Sequence, residues 1–350
     1  MFLRLDMYRS VVKDEVIVSR YRVELKLLEI HMKSITFMLA AVLGITSALA
    51  SAQSYPSRPI SLVVPFAAGS GTDAVARVLA KKLGERLNQT IIVDNKPGAS
   101  AQIATNFVAN AKPDGYTLLM TTNTGHSANP SLFKQLSYDP IKGFTPITLV
   151  GELPFAVVVN NKLPVKTMKE FVDYAKANPG KLTYGTPNST SLVATETIKR
   201  LAGIDLLQVP YKSSPQAMTD LIGGQIDFYV VDFGSGMSMI KADKVKTLAV
   251  TTKAPSKLLP VVPPVAQTIT GFDLTSWNGI FGPANLPKPI VEQLNTEILA
   301  VLADKNVQDQ LTEQGFQVGP SASTREFAEY VERQLGHWRT LIKQAGIQPE

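Results

Sequence analysis

Hydrophobic and polar positions follow two rhythms along this chain. Short apolar runs rich in Val, Ile and Leu read as buried strands at residues 60–64, 90–94, 117–121, 147–150, 155–159, 182–184, 207–210, 226–231 and 248–252. Between them, apolar residues three and four apart predict helices at 102–109, 168–177, 192–202, near 216–222 and near 237–242. Two longer helices are predicted at 290–302 and 324–345. The punctuation agrees. Lys112-Pro113-Asp114-Gly115 makes a turn, Asn178-Pro179-Gly180 stops a helix, and a Pro-rich stretch at 259–264 separates the middle block from the C-terminal helices. Strand and helix in alternation predict an α/β fold with mainly parallel sheets and helices on both faces.

One junction carries more information than the rest. In ISLVVPFAAGSGTDAVAR, residues 60–77, an apolar strand gives way to a small-residue loop at 67–71. Thr72 and Asp73 then open an amphipathic helix. A strand, a glycine loop and a helix N-terminus in succession offer free backbone N–H groups and the positive end of a helix dipole, which together attract an anion. On this reading the N–H groups of residues 69–73 bond the ligand oxygens, aided by the Ser70 and Thr72 hydroxyls. Charge-assisted bonds of this kind are worth about 1.5–3 kcal/mol each. Asp73 caps the helix as part of Ser70-x-x-Asp73 and pairs with Arg77 one turn on. A similar strand, Gly-Thr/Ser-rich loop and helix recur at 183–199, in the segment GTPNSTS. Two such turns facing each other across a cleft would clamp a solute with acidic groups.

The same loop supports a rival reading. Gly69-Ser70-Gly71-Thr72-Asp73-Ala74 fits G-x-G-x-x-A, and Asp94 ends the next strand where a ribose-binding acid would sit. That reading makes the chain an NAD(P)-dependent oxidoreductase. Pro65-Phe66-Ala67-Ala68 weakens it, because the fingerprint wants its tight turn straight off the strand. No Gly-Lys-Ser/Thr follows, so a Walker A loop is absent. Elsewhere, Gly125-His126-Ser127-Ala128-Asn129 nearly matches G-x-S-x-G, which makes Ser127 the candidate nucleophile of a hydrolase, but Asn129 replaces the last glycine. His126 and His337 lack the spacing of metal ligands. Asp232 follows an apolar strand, at the strand end where open α/β sheets place ligands, or where an acid simply caps the next helix. Trp277 reads as core.

Composition narrows the class. There are no cysteines, which removes disulfides, thiolate metal sites and a cysteine nucleophile. The N-terminus looks like an export signal. Lys33 supplies a positive region, 35–43 an apolar core, and 46–52 a small-residue cleavage region. Residues 32–52 are therefore expected to be removed after Ala50 or Ala52. Residues 1–31 do not fit this pattern, and we expect translation to start at Met32. No twin-arginine pair precedes the apolar core, so the chain is expected to cross unfolded and without cofactor. The first 52 residues hold seven of the 35 basic and five of the 29 acidic residues, so the mature chain keeps a net charge of +4. That charge is spread along the chain, which argues against nucleic acid and suits an acidic solute.

These segments together resemble a known family, the solute receptors of tripartite tricarboxylate transporters, or Bug-type periplasmic binding proteins. The likeness runs over residues 55–347 and is carried by YPSRPISLVVPFAAGSGTDAVAR, VDNKPGASAQIA, PDGYTLLM, GKLTYGTPNSTS, VPYKSSPQAMTDLIGGQIDF, VKTLAVTT, LPVVPPVAQTI and GPANLPKPIVEQLN, in order. The resemblance implies a two-lobed, type II Venus-flytrap fold without catalysis, cofactor or metal. Lobe 1 would comprise 53–153 plus 277–350, and lobe 2 would comprise 154–276. It implies a periplasmic monomer that closes on a small organic acid and hands it to a membrane permease or a sensor kinase. It places the ligand against Phe66, Ala67, Ala68, Gly69, Ser70, Gly71 and Thr72, with Asp73 and Arg77 in support. The opposite turn would be Thr186, Pro187, Asn188, Ser189, Thr190 and Ser191. Thr122, Asn123 and His126 would line the same mouth, with Asp232 across it as a specificity residue. The chain departs from the family pattern in three places. Ala67-Ala68-Gly69 stands where Pro-Gly-Gly is usual, Pro187 and Asn188 stiffen the second loop, and Val193 replaces a histidine.

Overall fold

A computed structural model describes residues 55–350 and, before them, only Lys26, His31 and Met32. The expected N-terminal extension and export signal thus lie outside the described residues. Among those described, no helix is long and apolar enough to cross a membrane.

The chain begins β1 (Ile60–Val64), α1 (Gly71–Leu87), β2 (Ile91–Asn95), α2 (Gln102–Ala109) and β3 (Thr117–Thr122). A π-helical turn, Thr124–Ala128, and the short α3 (Asn129–Leu132) follow. Then β4 (Phe144–Leu153) passes through Pro154 straight into β5 (Phe155–Val159). The middle block is α4 (Met168–Ala177), β6 (Thr183–Thr186), α5 (Ser189–Ala202), β7 (Leu207–Pro210), α6 (Ser214–Gly223), β8 (Phe228–Asp232), α7 (Phe233–Lys241) and β9 (Lys246–Val250). The chain ends with β10 (Ser276–Pro283), α8 (Lys288–Ala303), α9 (Lys305–Glu313), β11 (Gln317–Val318) and α10 (Thr324–Ala345).

The strands form two sheets, β11-β4-β10-β3-β1-β2 and β7-β6-β8-β5-β9. Each sheet belongs to one of two α/β lobes. The expectation of mainly parallel sheets needs correcting. Among the described strands, four neighbouring pairs are parallel and five antiparallel. The reason lies in the crossings. β1 and β3 end at the gap between the lobes, as do β6 and β8. β4 also ends there, and β5 continues from it with one residue between, so β5 enters the second sheet at its gap end. It must therefore run against β8, with Phe155 opposite Asp232. β10 returns from the middle block the same way and runs against β3, with Asn278 opposite Thr122.

Period-two alternation fills both faces of the second sheet. Val157, Val159, Phe228 and Val230 face a core with Phe171 and Ile198, while Ala156, Val158, Tyr229 and Val231 face Leu221, Ile226 and Met237. In the first sheet Val63, Leu119, Trp277 and Phe281 pack under Phe327 and Val331 of α10. Further along the same helix, Trp338 and Ile342 join the core of the second sheet. One apolar stripe of α10 thus packs on both lobes. Trp277 and Trp338 are almost wholly buried.

Candidate functional site

Four helices start at the gap, and each start contributes to one small pocket. Ser70, Gly71 and Thr72 come from α1, Asn188 and Thr190 from α5, Ser214 from α6, and Asp232 caps α7. Thr122, Thr124 and Ser276 add hydroxyls, and Phe66, Leu153 and Phe155 supply an apolar side. No Lys, Arg or His lines it. The positive ends of helices, with neutral donors, are the only attraction it offers an anion. Its volume is about 20 Å³, room for one water.

The β1–α1 turn is held by its own groups. Ser70 Oγ accepts from the Asp73 N–H at 3.2 Å, and Asp73 Oδ2 accepts from the Gly69 N–H at 2.9 Å, a reciprocal cap. Asp73 Oδ2 also takes Arg77 Nε at 3.0 Å, and Asp73 Oδ1 takes Asn95 Nδ2 at 2.9 Å. Burial works to raise this carboxyl, but the bonds from Arg77, Gly69 and Asn95 hold it below the ordinary carboxylate range. Asp73 is therefore the keystone of the turn, and its oxygens face donors of the protein. The Ser70 N–H goes to Ala67 O at 3.1 Å. The expected row of five ligand-binding amides is largely spent inside the protein. The Gly71 N–H donates across the gap to Ser235 Oγ at 3.2 Å, which leaves the Thr72 N–H at the pocket wall.

The lobes touch here. A Cβ on Gly71 would overlap Asp232 Oδ1, and one on Gly234 would overlap the Gly71 Cα, so two backbones meet where only glycines fit. Two more bonds bridge the gap. Asn123 Nδ2 donates to Thr190 Oγ1 at 3.0 Å, and the Thr124 and Ser189 hydroxyls lie 2.8 Å apart.

Of the residues expected at the site, Phe66, Ser70, Gly71, Thr72, Thr122, Asn188, Thr190 and Asp232 line the pocket. Ala68 and Gly69 form an exposed tip, with Ala67 beside them. Asn123 and Ser189 are bridging residues, and Asn123 also bonds Ser276 Oγ. Ser191 Oγ donates to Val230 O at 2.8 Å, and Thr186 Oγ1 accepts from Gln208 Nε2 at 2.9 Å, so both work within the second lobe. Pro187 only leads into the Asn188 cap, whose side chain accepts from the Ser191 N–H at 2.9 Å.

His126 does not line the mouth. The π-helical turn swings it into the core, where it stacks on Phe281 at 4.0 Å and meets Phe144 at 4.7 Å. Burial pushes its pKa down to about 3. Ser127 is fully buried as well, which removes it as an accessible nucleophile. Asp232 does cap α7, with Oδ1 accepting from the Ser235 N–H at 2.8 Å, and burial outweighs that bond and raises its pKa. Among the described residues no three of His, Cys, Asp and Glu gather as a metal site requires.

Thr124, Leu153, Phe155, Ser214 and Ser276 complete the pocket without having been anticipated. Ser214 had a usable signal. It follows the strand-like LQVP and sits in SSPQ, where Ser213 caps the next helix by accepting from the Gln216 N–H.

Two α/β lobes joined by crossing strands, with helix starts facing one another across the gap, define a two-lobed periplasmic-binding-protein fold. The chain belongs to the tripartite tricarboxylate transporter family receptors, whose family model matches residues 75–347. Among similar solved structures, an R. palustris protein with adipate is 32% identical, with a TM-score of 0.83 over 85% of this chain and all of that one. The periplasmic binding protein BugD is 35% identical, with a TM-score of 0.81 over 85% of this chain and all of BugD. MatC from Rhodopseudomonas palustris with bound malate is 30% identical, with a TM-score of 0.78 over 82% of this chain and all of MatC.

Proposed function

We propose that this chain is an exported receptor that captures a small organic dicarboxylate between its lobes without transforming it. It then presents the closed form to a membrane permease of the tripartite type. One observation carries the reading: four helix N-termini meet at a pocket that contains no cation. Neutral dipoles of this kind bind a carboxylate and release it again, whereas a buried lysine or arginine would hold it more tightly. Phe66, Leu153 and Phe155 provide a wall for the methylenes between two acid groups. Relatives with bound adipate and malate support the ligand class. The family and its periplasmic member support an export signal at 32–52 and delivery to a permease rather than a sensor. Residues 53–153 with 277–350 form the first lobe in this reading, and 154–276 the second.

A pocket with room for one water admits no such solute while the lobes touch, so binding requires them to part first. Thermal unfolding in the presence of mono-, di- and tricarboxylates tests the proposal. A binding acid at 100 times its dissociation constant should add about 2.7 kcal/mol of stability. Gly71→Asp should abolish that gain, because its side chain would meet Asp232 and place a second carboxylate at the solute's seat. A panel in which no carboxylate raises the unfolding temperature defeats the reading.

A further inference from the structure

At the start of α1 four of the five amides have acceptors, and the Thr72 N–H is left at the pocket wall. Asp73 N–H is capped by Ser70, Gly69 N–H by Asp73, and Ser70 N–H by Ala67 O. Only Gly71 N–H leaves its own lobe for an acceptor, and that acceptor is a neutral hydroxyl 164 residues away, Ser235 Oγ at 3.2 Å. Ser235 is the third residue of α7, and its N–H is fixed on Asp232 Oδ1 at 2.8 Å. Gly71 and Gly234 pack backbone to backbone beside it. The hydroxyl is thus carried into the gap by a capped helix start and is not a freely rotating surface group. An amide has a single hydrogen, so an oxygen of a carboxylate arriving at α1 and the oxygen of Ser235 compete for the same bond.

We propose that Ser235 is an intramolecular stand-in for the solute's carboxylate. Its hydroxyl holds the Gly71 amide and keeps the empty lobes shut, and the solute must displace it to bind. The inference rests on the carboxylate reading above and adds a second closed state. The bonds Gly71–Ser235, Asn123–Thr190 and Thr124–Ser189 join the lobes around a pocket too small for a solute, and they form the latch of that state. The apparent affinity for solute is reduced by the fraction of protein held in that latched form.

The chain has no cysteines, so spin labels on Lys81→Cys and Gln225→Cys, both exposed, report the separation of the lobes without background. Three proteins are compared: the labelled parent, Ser235→Ala and Ser235→Thr. Without solute, Ser235→Ala should show a longer and broader distance distribution, while Ser235→Thr, which keeps the hydroxyl, should match the parent. In calorimetric titration with adipate and with malate, Ser235→Ala should bind about 2- to 10-fold more tightly, the factor expected for losing one competing neutral hydrogen bond. An unchanged distance in Ser235→Ala, or weaker binding, overturns the inference. If no acid of the mono-, di- and tricarboxylate panel binds the parent protein, the carboxylate reading fails, and the solute-free distances alone still decide whether Ser235 latches the lobes.

Discussion

His126 is a titratable group in a place that refuses its charge. It is wholly buried between Phe281 and Phe144, and neither ring nitrogen has a hydrogen-bond partner among the described residues. Its pKa falls from 6.5 in an open chain to about 3 in the folded one, because burial strips water from the imidazolium. Between those values the unfolded chain takes up a proton that the folded chain rejects, so stability falls as pH drops below 6.5, by about 1.4 kcal/mol per pH unit. Asp232 acts in the opposite sense. Its raised pKa lets the folded chain keep a proton that the unfolded one has lost, so its contribution improves toward acid. His126→Phe keeps the aromatic stack and removes the first effect alone. Denaturant unfolding at pH 7.5 and pH 5 should show the variant gaining about 2 kcal/mol on the parent at the lower pH. Parallel pH dependence in the two proteins would show that the imidazole keeps its proton when buried.

At the scale of elements, α2 begins under strain. Ala99, Ser100 and Ala101 have φ of 45°, 49° and 71°, three consecutive left-handed residues with side chains. Each such residue costs on the order of 1–2 kcal/mol. The turn is pinned by Asn129 Nδ2 on Ser100 O and Thr105 Oγ1 on Ala101 O, both at 2.8 Å. Asn129 lies just past the π-helical turn, so the strain sits against the segment that carries Thr124 to the pocket. Ala101→Gly should stabilise the protein by about 0.5–1 kcal/mol, since relief of strain exceeds the added chain entropy. Chemical denaturation measures it directly. The elements themselves were unequally legible. β1, β3, β5 and β8 announced themselves because buried strands are continuous apolar runs. β10 did not, because SWNGIFGP places two glycines and an asparagine in a wholly buried strand and shows no period. The α9 helix was also missed, since KNVQDQLTE buries only Val307 and Leu311. At the site, the α1 and α5 starts were legible from their Gly, Ser and Thr loops. The α7 start was ambiguous because Asp232 is both the last strand residue and the cap. Ser235 acts on a partner 164 residues away, and no local pattern reveals that.

At the scale of the whole molecule, the crossing strands set the geometry of closure. Alternate residues of a strand face opposite sides. Leu153 and Ser276 line the small pocket between the lobes, while their neighbours Glu152 and Thr275 line a groove of about 950 Å³ behind the hinge. That groove takes its walls from both lobes, with residues 251–258 on one side and 315–318 and Tyr330 on the other. Rotation that shuts the front must widen the back, so bulk added behind the hinge favours the shut state. Thr275 suits the test, because its hydroxyl has no hydrogen-bond partner among the described residues and its replacement breaks no bond. Thr275→Trp stabilises both shut states, latched and solute-bound, relative to the open one. If Ser235 latches the empty parent shut, the two effects cancel at equilibrium. Association and dissociation of adipate should both slow by a similar factor, with Kd nearly unchanged. In the Ser235→Ala background the empty protein stands open, only the bound form gains, and Kd should fall. Stopped-flow binding on the four proteins separates these cases. An equal change in Kd in both backgrounds would mean that the latch and the hinge are not coupled through a common closure.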